Sequence, residues 1–224
     1  MTTRALSQYM TPAWAAQLLV ERHFADLGSA DLVLEPACGR GAFLQAVPAE
    51  VPAVGVEVDP ALAAEAAATT GRRVLIGDFL SLDLALLGRP SLVLGNPPFA
   101  ARTVEGFIGR AWRLLEDEGR CGFILPAYLA QTPQRVMGWA SRWSLWCELL
   151  PRTLFPRSRL PLLFVVFRKG RARTLVGFGL YAEARAIENV SPDARMTFAA
   201  GRPRVGVWRA VVEATPPSCA SLQR

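Results

Sequence analysis

The chain has 224 residues, of which 51% are apolar, and carries 25 Lys and Arg against 19 Asp and Glu for a net charge of +6. That length suits one domain with a substantial core, and neither a secretion signal near Met1 nor a run of about 18 apolar residues is present, so a cytoplasmic protein is expected. Nearly all the cations are arginine, which suits bidentate contact with phosphate; the alternative is an ordinary solvated arginine-rich surface.

Hydrophobic patterning in chain order predicts helix 13–25, strand 31–35, helix 41–47, strand 53–58, helix 60–69, strand 73–77, strand 91–95, helix 104–117, strand 121–125, and strands near 145–150 and 161–168. Strands alternating with helices call for a mostly parallel sheet covered by helices on both faces. Ligands bind such sheets at the carboxyl ends of the strands, and Glu35, Glu57, Asp78 and Asn96 all fall at or just past predicted strand ends. Trp139, Trp143 and Trp146, spaced four and three apart, fit one helix face and are expected in the core. Cys38, Cys121, Cys147 and Cys219 show no metal-ligand spacing, and the one histidine, His23, has no second histidine beside it, so neither a metal nor a histidine base is expected.

Three strand ends carry polar residues in informative settings. The first runs Asp31-Leu-Val-Leu-Glu35-Pro-Ala-Cys-Gly39-Arg-Gly41-Ala-Phe43, an apolar strand entering a glycine-containing loop through which a ligand can approach the backbone. Glu57 ends the next strand, about 20 residues on, where α/β nucleotide-binding folds place a carboxylate for ribose hydroxyls. Asp78-Phe79 ends the third, offering an acceptor for an adenine amino group and a packing ring. Taken singly, Glu57 and Asp78 also fit solvated loop acids.

The segment Asn96-Pro97-Pro98-Phe99 follows a fourth apolar strand. Asn96 supplies a side-chain carbonyl, Pro97 has a C=O but no N–H, and two fixed proline φ angles stiffen the turn beside the Phe99 ring. Two acceptors and a ring face suit an amino group on a flat heterocycle, although an isolated Asn-Pro-Pro is also a common rigid turn.

Together these segments resemble the S-adenosylmethionine-dependent amino-methyltransferases, and among them the DNA adenine-N6 methyltransferases. Gln8-Tyr9-Met10-Thr11-Pro12 is similar to the family's methionine-binding motif, Glu35-Pro-Ala-Cys-Gly39 to its cofactor loop, Gly55-Val-Glu57-Val-Asp59-Pro60 to its ribose motif, and Asn96-Pro-Pro-Phe99 to its catalytic tetrapeptide. Leu154-Phe155-Pro156-Arg157 is a weaker match to a segment that holds the extruded base. The resemblance implies a Rossmann-like class I methyltransferase fold with a mostly parallel seven-stranded sheet, and S-adenosylmethionine as cofactor. Residues 1–169 would form the catalytic domain and 170–224 a C-terminal extension, either part of the same domain or ending in a mobile tail.

Residue by residue, the resemblance implies catalysis by Asn96, Pro97, Pro98 and Phe99. Cofactor binding would fall to Tyr9, Met10, Thr11, Glu35, Ala37, Cys38, Gly39, Glu57, Val58, Asp78, Phe79 and Asn96, and substrate binding to Phe99, Phe155, Arg102 and Arg157. Asn96 and the Pro97 carbonyl would accept the two N–H bonds of adenine N6 while Phe99 stacks on a base turned out of double-stranded DNA. The same tetrapeptide type also serves adenine in RNA, and a close variant serves a protein glutamine amide. Cytosine-N4 enzymes more often carry Ser in place of Asn96. An inactive cofactor-binding subunit that docks nucleic acid is a further alternative. In the subgroup with this motif order a recognition domain follows the Phe155-like segment, whereas about 55 residues remain here. The expectation is therefore a short site read by loops, relaxed specificity, a dimer or a separate recognition partner, with or without an accompanying restriction nuclease.

Overall fold

The structure is a computed structural model that describes residues 9–151, 154–155 and 160–170, together with the backbone of three later strands. Ten strands form one sheet in the order β3-β2-β1-β4-β5-β7-β6-β8-β10-β9. The first seven in that order are β3 Arg73–Ile76, β2 Ala53–Glu57, β1 Val33–Pro36, β4 Leu92–Gly95, β5 Arg120–Pro126, β7 Leu162–Lys169 and β6 Trp143–Leu149. The five from β3 to β5 are parallel, and β7 runs antiparallel to both β5 and β6. These are the seven expected strands. Beyond them β8 Val176–Ala182 pairs parallel with β6, and β10 Gly206–Val211 and β9 Met196–Ala199 continue antiparallel, so the sheet runs on into residues after 169.

Five α-helices among the described residues cover the two faces. α1 Ala13–His23, α2 Ala42–Ala46 and α3 Pro60–Thr70 contribute to a core that holds Phe24, Phe43 and Phe164; α4 Ala101–Leu114 and α5 Pro133–Ala140 cover the other, around Phe107, Phe123, Trp143 and Phe167. Local sequence accounts for their ends. Asp59 caps α3 by accepting from the Ala61 and Leu62 N–H groups, Pro60 opens it, and Gly71 closes it with a left-handed φ of 66°. α4 buries Val104, Phe107, Ile108 and Ala111, the i, i+3, i+4, i+7 stripe of a half-buried helix.

Two local expectations change. The tryptophans do not share a helix: Trp139 lies on α5, whereas Trp143 and Trp146 lie on β6. Burial along β6 alternates through Trp143, Leu145 and Cys147, the period of a strand. Trp139 and Trp143 are nonetheless core residues. α5 itself, opened by Pro133 inside a polar stretch, lies between the expected strands 121–125 and 145–150, where the patterning assigned no element.

His23 has a structural role. It and Arg22 pair with the buried Glu148 of β6, and the imidazole packs 5.2 Å from the Phe164 ring, so α1 is anchored to the sheet. That anchorage holds the segment just before α1, residues 9–12, over the ends of β1 and β4, where Asn96 binds Tyr9 and Thr11. Cys38, Cys121 and Cys147 are buried free thiols, and Cys219 lies outside the described residues. No helix among the described residues is long and apolar enough to cross a membrane.

Candidate active site

The turn between β1 and α2 passes through three left-handed residues, Ala37 (φ 54°), Gly39 (φ 55°) and Gly41 (φ 79°). Glycine removes the steric penalty at two of them, while Ala37 carries strain of about 1–2 kcal/mol. Gly39 also has a close neighbour, since a Cβ there would stand 3.1 Å from Met10 Sδ. The tight turn directs the Gly39 N–H to Glu57 Oε2 at 2.7 Å, and Glu57 Oε1 accepts from Val58 N at 2.9 Å and Asp59 N at 3.0 Å. A carboxylate at the end of β2 is thus locked by three backbone donors although it is only 2% exposed.

Glu35, 3% exposed, sits one strand over and accepts from Leu44 N at 2.8 Å at the start of α2. Its carboxyl is pushed up from the ordinary 4.5 to about 8 because burial disfavours the charged form. The nearby Glu57 charge adds to the rise, and the Leu44 and Phe43 amides oppose it. Burial likewise pushes the Cys38 thiol upward, which keeps it a protonated, inert wall of the site.

At the end of β4, Asn96 is tied to the segment before α1. Its Nδ2 donates to the Tyr9 backbone carbonyl at 2.7 Å and reaches Thr11 Oγ1 at 3.2 Å. A backbone carbonyl only accepts, so these contacts fix which end of the amide is nitrogen. Oδ1 is left as a buried acceptor that no donor among the described residues satisfies. Beside it the Tyr9 and Phe99 rings stack with centroids 5.3 Å apart and planes at 21°, and Phe155 meets Tyr9 edge-on at 5.9 Å.

These groups line one cavity of about 310 Å³. Its walls include Tyr9, Met10, Thr11, Glu35, Ala37, Cys38, Gly39, Glu57, Val58, Asn96, Pro97, Pro98 and Phe99, so four separated segments of the sequence converge there. Asp78 and Phe79 are not among them. Asp78 is exposed and accepts from Leu80 N within its own turn, while Phe79 packs on Phe107 with centroids 4.8 Å apart. Arg102 is exposed in the first turn of α4, Phe155 reaches the cluster through Tyr9, and Arg157 lies outside the described residues. Pro12, Arg40 and Ala42 also line the cavity; each lies inside or beside a motif already singled out. Tyr128 supports the turn from outside the cavity lining. It follows β5, and its hydroxyl donates to the Phe99 carbonyl at 3.1 Å, a contact that only strand adjacency creates.

No protein-family profile matches the chain, and no curated protein matches it in sequence. Solved structures do match in shape. One, from Listeria monocytogenes, was solved as a candidate class I S-adenosylmethionine-dependent methyltransferase; it has a TM-score of 0.63 and 20% identity over 75% of this chain and 65% of that one. The M protein of the Type I restriction enzyme EcoKI gives 0.65 and 17%, over 79% of this chain and 48% of its own. The 23S rRNA methyltransferase ErmE gives 0.56 and 17%, over 75% and 72%. The chain therefore spans about half the length of the EcoKI subunit and just under two thirds of the Listeria protein. In strand order, helix placement and overall superposition, this chain has the Rossmann-like fold of the class I methyltransferases.

Proposed function

We propose that this protein transfers a methyl group from S-adenosylmethionine to the exocyclic N6 amino group of adenine in DNA, with the base turned out of the duplex. The observation that carries the reading is the buried, unsatisfied Asn96 Oδ1 beside an aromatic cluster, in a cavity that also holds two buried carboxyl groups. An unpaired buried acceptor costs about 1–3 kcal/mol, and an amino group donated by a substrate would recover that cost.

The cavity suits the cofactor in its donor set. Glu35 and Glu57 bring acceptor oxygens to one wall, which suit hydroxyl donors, a positive charge on the ligand would favour ionisation of the raised Glu35 carboxyl, and Gly39 keeps the loop free of side-chain bulk. Glu57 would hold the ribose, with Met10, Thr11 and Glu35 toward the methionine end and Val58 beside the adenine. Asp78 and Phe79 are assigned to the adenine end by sequence resemblance alone. When bound, S-adenosylmethionine supplies an electrophilic methyl group on a sulfonium.

The protein's contribution is orientation. The lone pair of an aromatic amine is delocalised into its ring and becomes nucleophilic when the nitrogen is drawn toward sp³ geometry. Asn96 Oδ1 and the Pro97 carbonyl accept its two N–H bonds, aim the lone pair and stabilise the positive charge that develops on nitrogen. Tyr9 and Thr11 hold the Asn96 amide in the required sense, so no reorganisation is needed at the moment of reaction. Phe99, with Phe155 nearby, offers ring contacts to the base, and Arg102 and Arg157 supply charge for the phosphate backbone. A DNA substrate would place the protein in the cytoplasm.

Asn96→Ala tests the assignment. Loss of one preorganised acceptor should lower turnover by about 10²- to 10³-fold while cofactor affinity stays within a few fold. Unchanged turnover would remove Asn96 from the mechanism.

A further inference from the structure

Phe99 and Phe155 are the two rings that the functional reading assigns to the target base, and in this structure another side chain of the same protein already contacts both. Tyr9 stacks on Phe99 at 5.3 Å and 21°, and meets Phe155 edge-on at 5.9 Å and 65°. One stacked and one edge-on neighbour is the arrangement a flat heterocycle would take between those residues. Phe99 is 7% exposed and Phe155 6%, so with Tyr9 in place neither ring offers an open face of useful size. Two rings in stacking contact leave no room for a third between them.

We infer that Tyr9 is a specificity-determining residue of the substrate site: its ring is a placeholder that an incoming base must displace, and only a substrate with a flat aromatic face can replace what is lost. This inference rests on the proposed function and narrows it. An adenine exchanges one ring stack for another, whereas a glutamine amide breaks the Tyr9–Phe99 stack and puts no ring in its place. The backbone explains how Tyr9 leaves without disabling the site. Asn96 Nδ2 is held by the Tyr9 carbonyl and the Thr11 hydroxyl, neither of which belongs to the Tyr9 ring. Displacement of the Tyr9 ring therefore need not disturb the two contacts that orient the Asn96 amide. The role is distinct from cofactor binding, to which the sequence resemblance assigns Tyr9.

The test isolates the contribution of the base from that of the phosphate backbone. Two single-stranded oligodeoxynucleotides of equal length are compared in the presence of S-adenosylhomocysteine, one with 2-aminopurine at every adenine position and one abasic at those positions. The dissociation constant of the abasic strand divided by that of the base-bearing strand measures what the base adds. In Tyr9→Leu that ratio should rise roughly two- to tenfold over wild type, the range of a ring pair lost as competitor. Tyr9→Phe, which keeps the ring, should match wild type. Tyr9→Ala provides a second measurement should the leucine variant not fold, with thermal unfolding and circular dichroism showing that the tested variant is folded and S-adenosylhomocysteine kept saturating for each variant. A ratio that is unchanged or falls makes Tyr9 a bystander or a supporting wall and overturns the inference while adenine methylation by the wild type stands. If instead the wild type shows no preference for the base-bearing oligonucleotide and methylates only protein, the functional reading and this inference fail together.

Discussion

The buried Glu35 carboxyl makes a prediction whose size follows from its surroundings. The group is 3% exposed, and burial, reinforced by Glu57 and opposed by the Leu44 and Phe43 amides, raises it from 4.5 to about 8. That rise corresponds to about 5 kcal/mol, an order-of-magnitude value, between neutral and ionised forms in the folded protein. A carboxyl raised on folding binds more protons in the native than in the unfolded state between those two pH values. Its favourable contribution is therefore complete below pH 4.5 and is lost as pH climbs toward about 8. Glu35→Gln cannot ionise and keeps a carbonyl oxygen for the Leu44 N–H. Urea unfolding of both proteins from about pH 5 to pH 9 should give a stability difference in favour of the variant that grows with pH, on the order of 3–5 kcal/mol, and levels off above pH 8. A cationic ligand favours the ionised form, so wild-type affinity for S-adenosylmethionine should rise toward pH 8, by at most about tenfold per pH unit, and the rise should vanish in Glu35→Gln. Parallel stability profiles for the two proteins would show that the carboxyl is not held neutral and would refute the reasoning.

Two other side chains give separable outcomes. Glu57→Ala deprives the Gly39, Val58 and Asp59 N–H groups of their acceptor; with Gly39 buried, the expected destabilisation is about 2–4 kcal/mol by thermal unfolding, with cofactor affinity reduced at least about tenfold in calorimetry. A variant that binds cofactor normally would remove Glu57 from the ribose assignment. Tyr128→Phe deletes the hydroxyl that donates to the Phe99 carbonyl; stability should change by less than about 1 kcal/mol, and turnover should fall severalfold with cofactor affinity unchanged. Equal kinetics for the two proteins would mean that the turn holds its shape without that bond.

Sequence patterning conveyed the scaffold more fully than the wiring of the site. Each strand from β1 to β7 was visible as an apolar run between polar or glycine-containing turns, with limits within a few residues of those observed. Asn96, Glu35 and Glu57 stood out because strand ends in such a fold face the ligand. What local pattern could not convey is tertiary coupling. The Asn96 bond to Tyr9 spans 87 positions and the Gly39 bond to Glu57 spans 18, and both exist because β4, β1 and β2 are neighbours. Asp78 illustrates the converse: it sits at a strand end as expected, yet its carboxylate closes its own turn with Leu80. The tryptophans misled because spacings of four and three satisfy a helix, while the alternating Leu145 and Cys147 mark a strand starting at Trp143. α5 escaped because a helix opened by proline and carrying Gly138 near its end has little intrinsic propensity.

The central claim is that the Asn96 turn methylates adenine in DNA, and the nature of the product tests it most directly. The wild-type protein would be given S-adenosylmethionine labelled in its methyl group, with duplex DNA, single-stranded DNA, ribosomal RNA and a protein lysate in parallel, followed by nucleoside and amino-acid analysis. The account expects label as N6-methyladenine in DNA, abolished by Asn96→Ala. Label confined to RNA or to a glutamine side chain would contradict the substrate assignment, and label in none of the four would contradict the catalytic one.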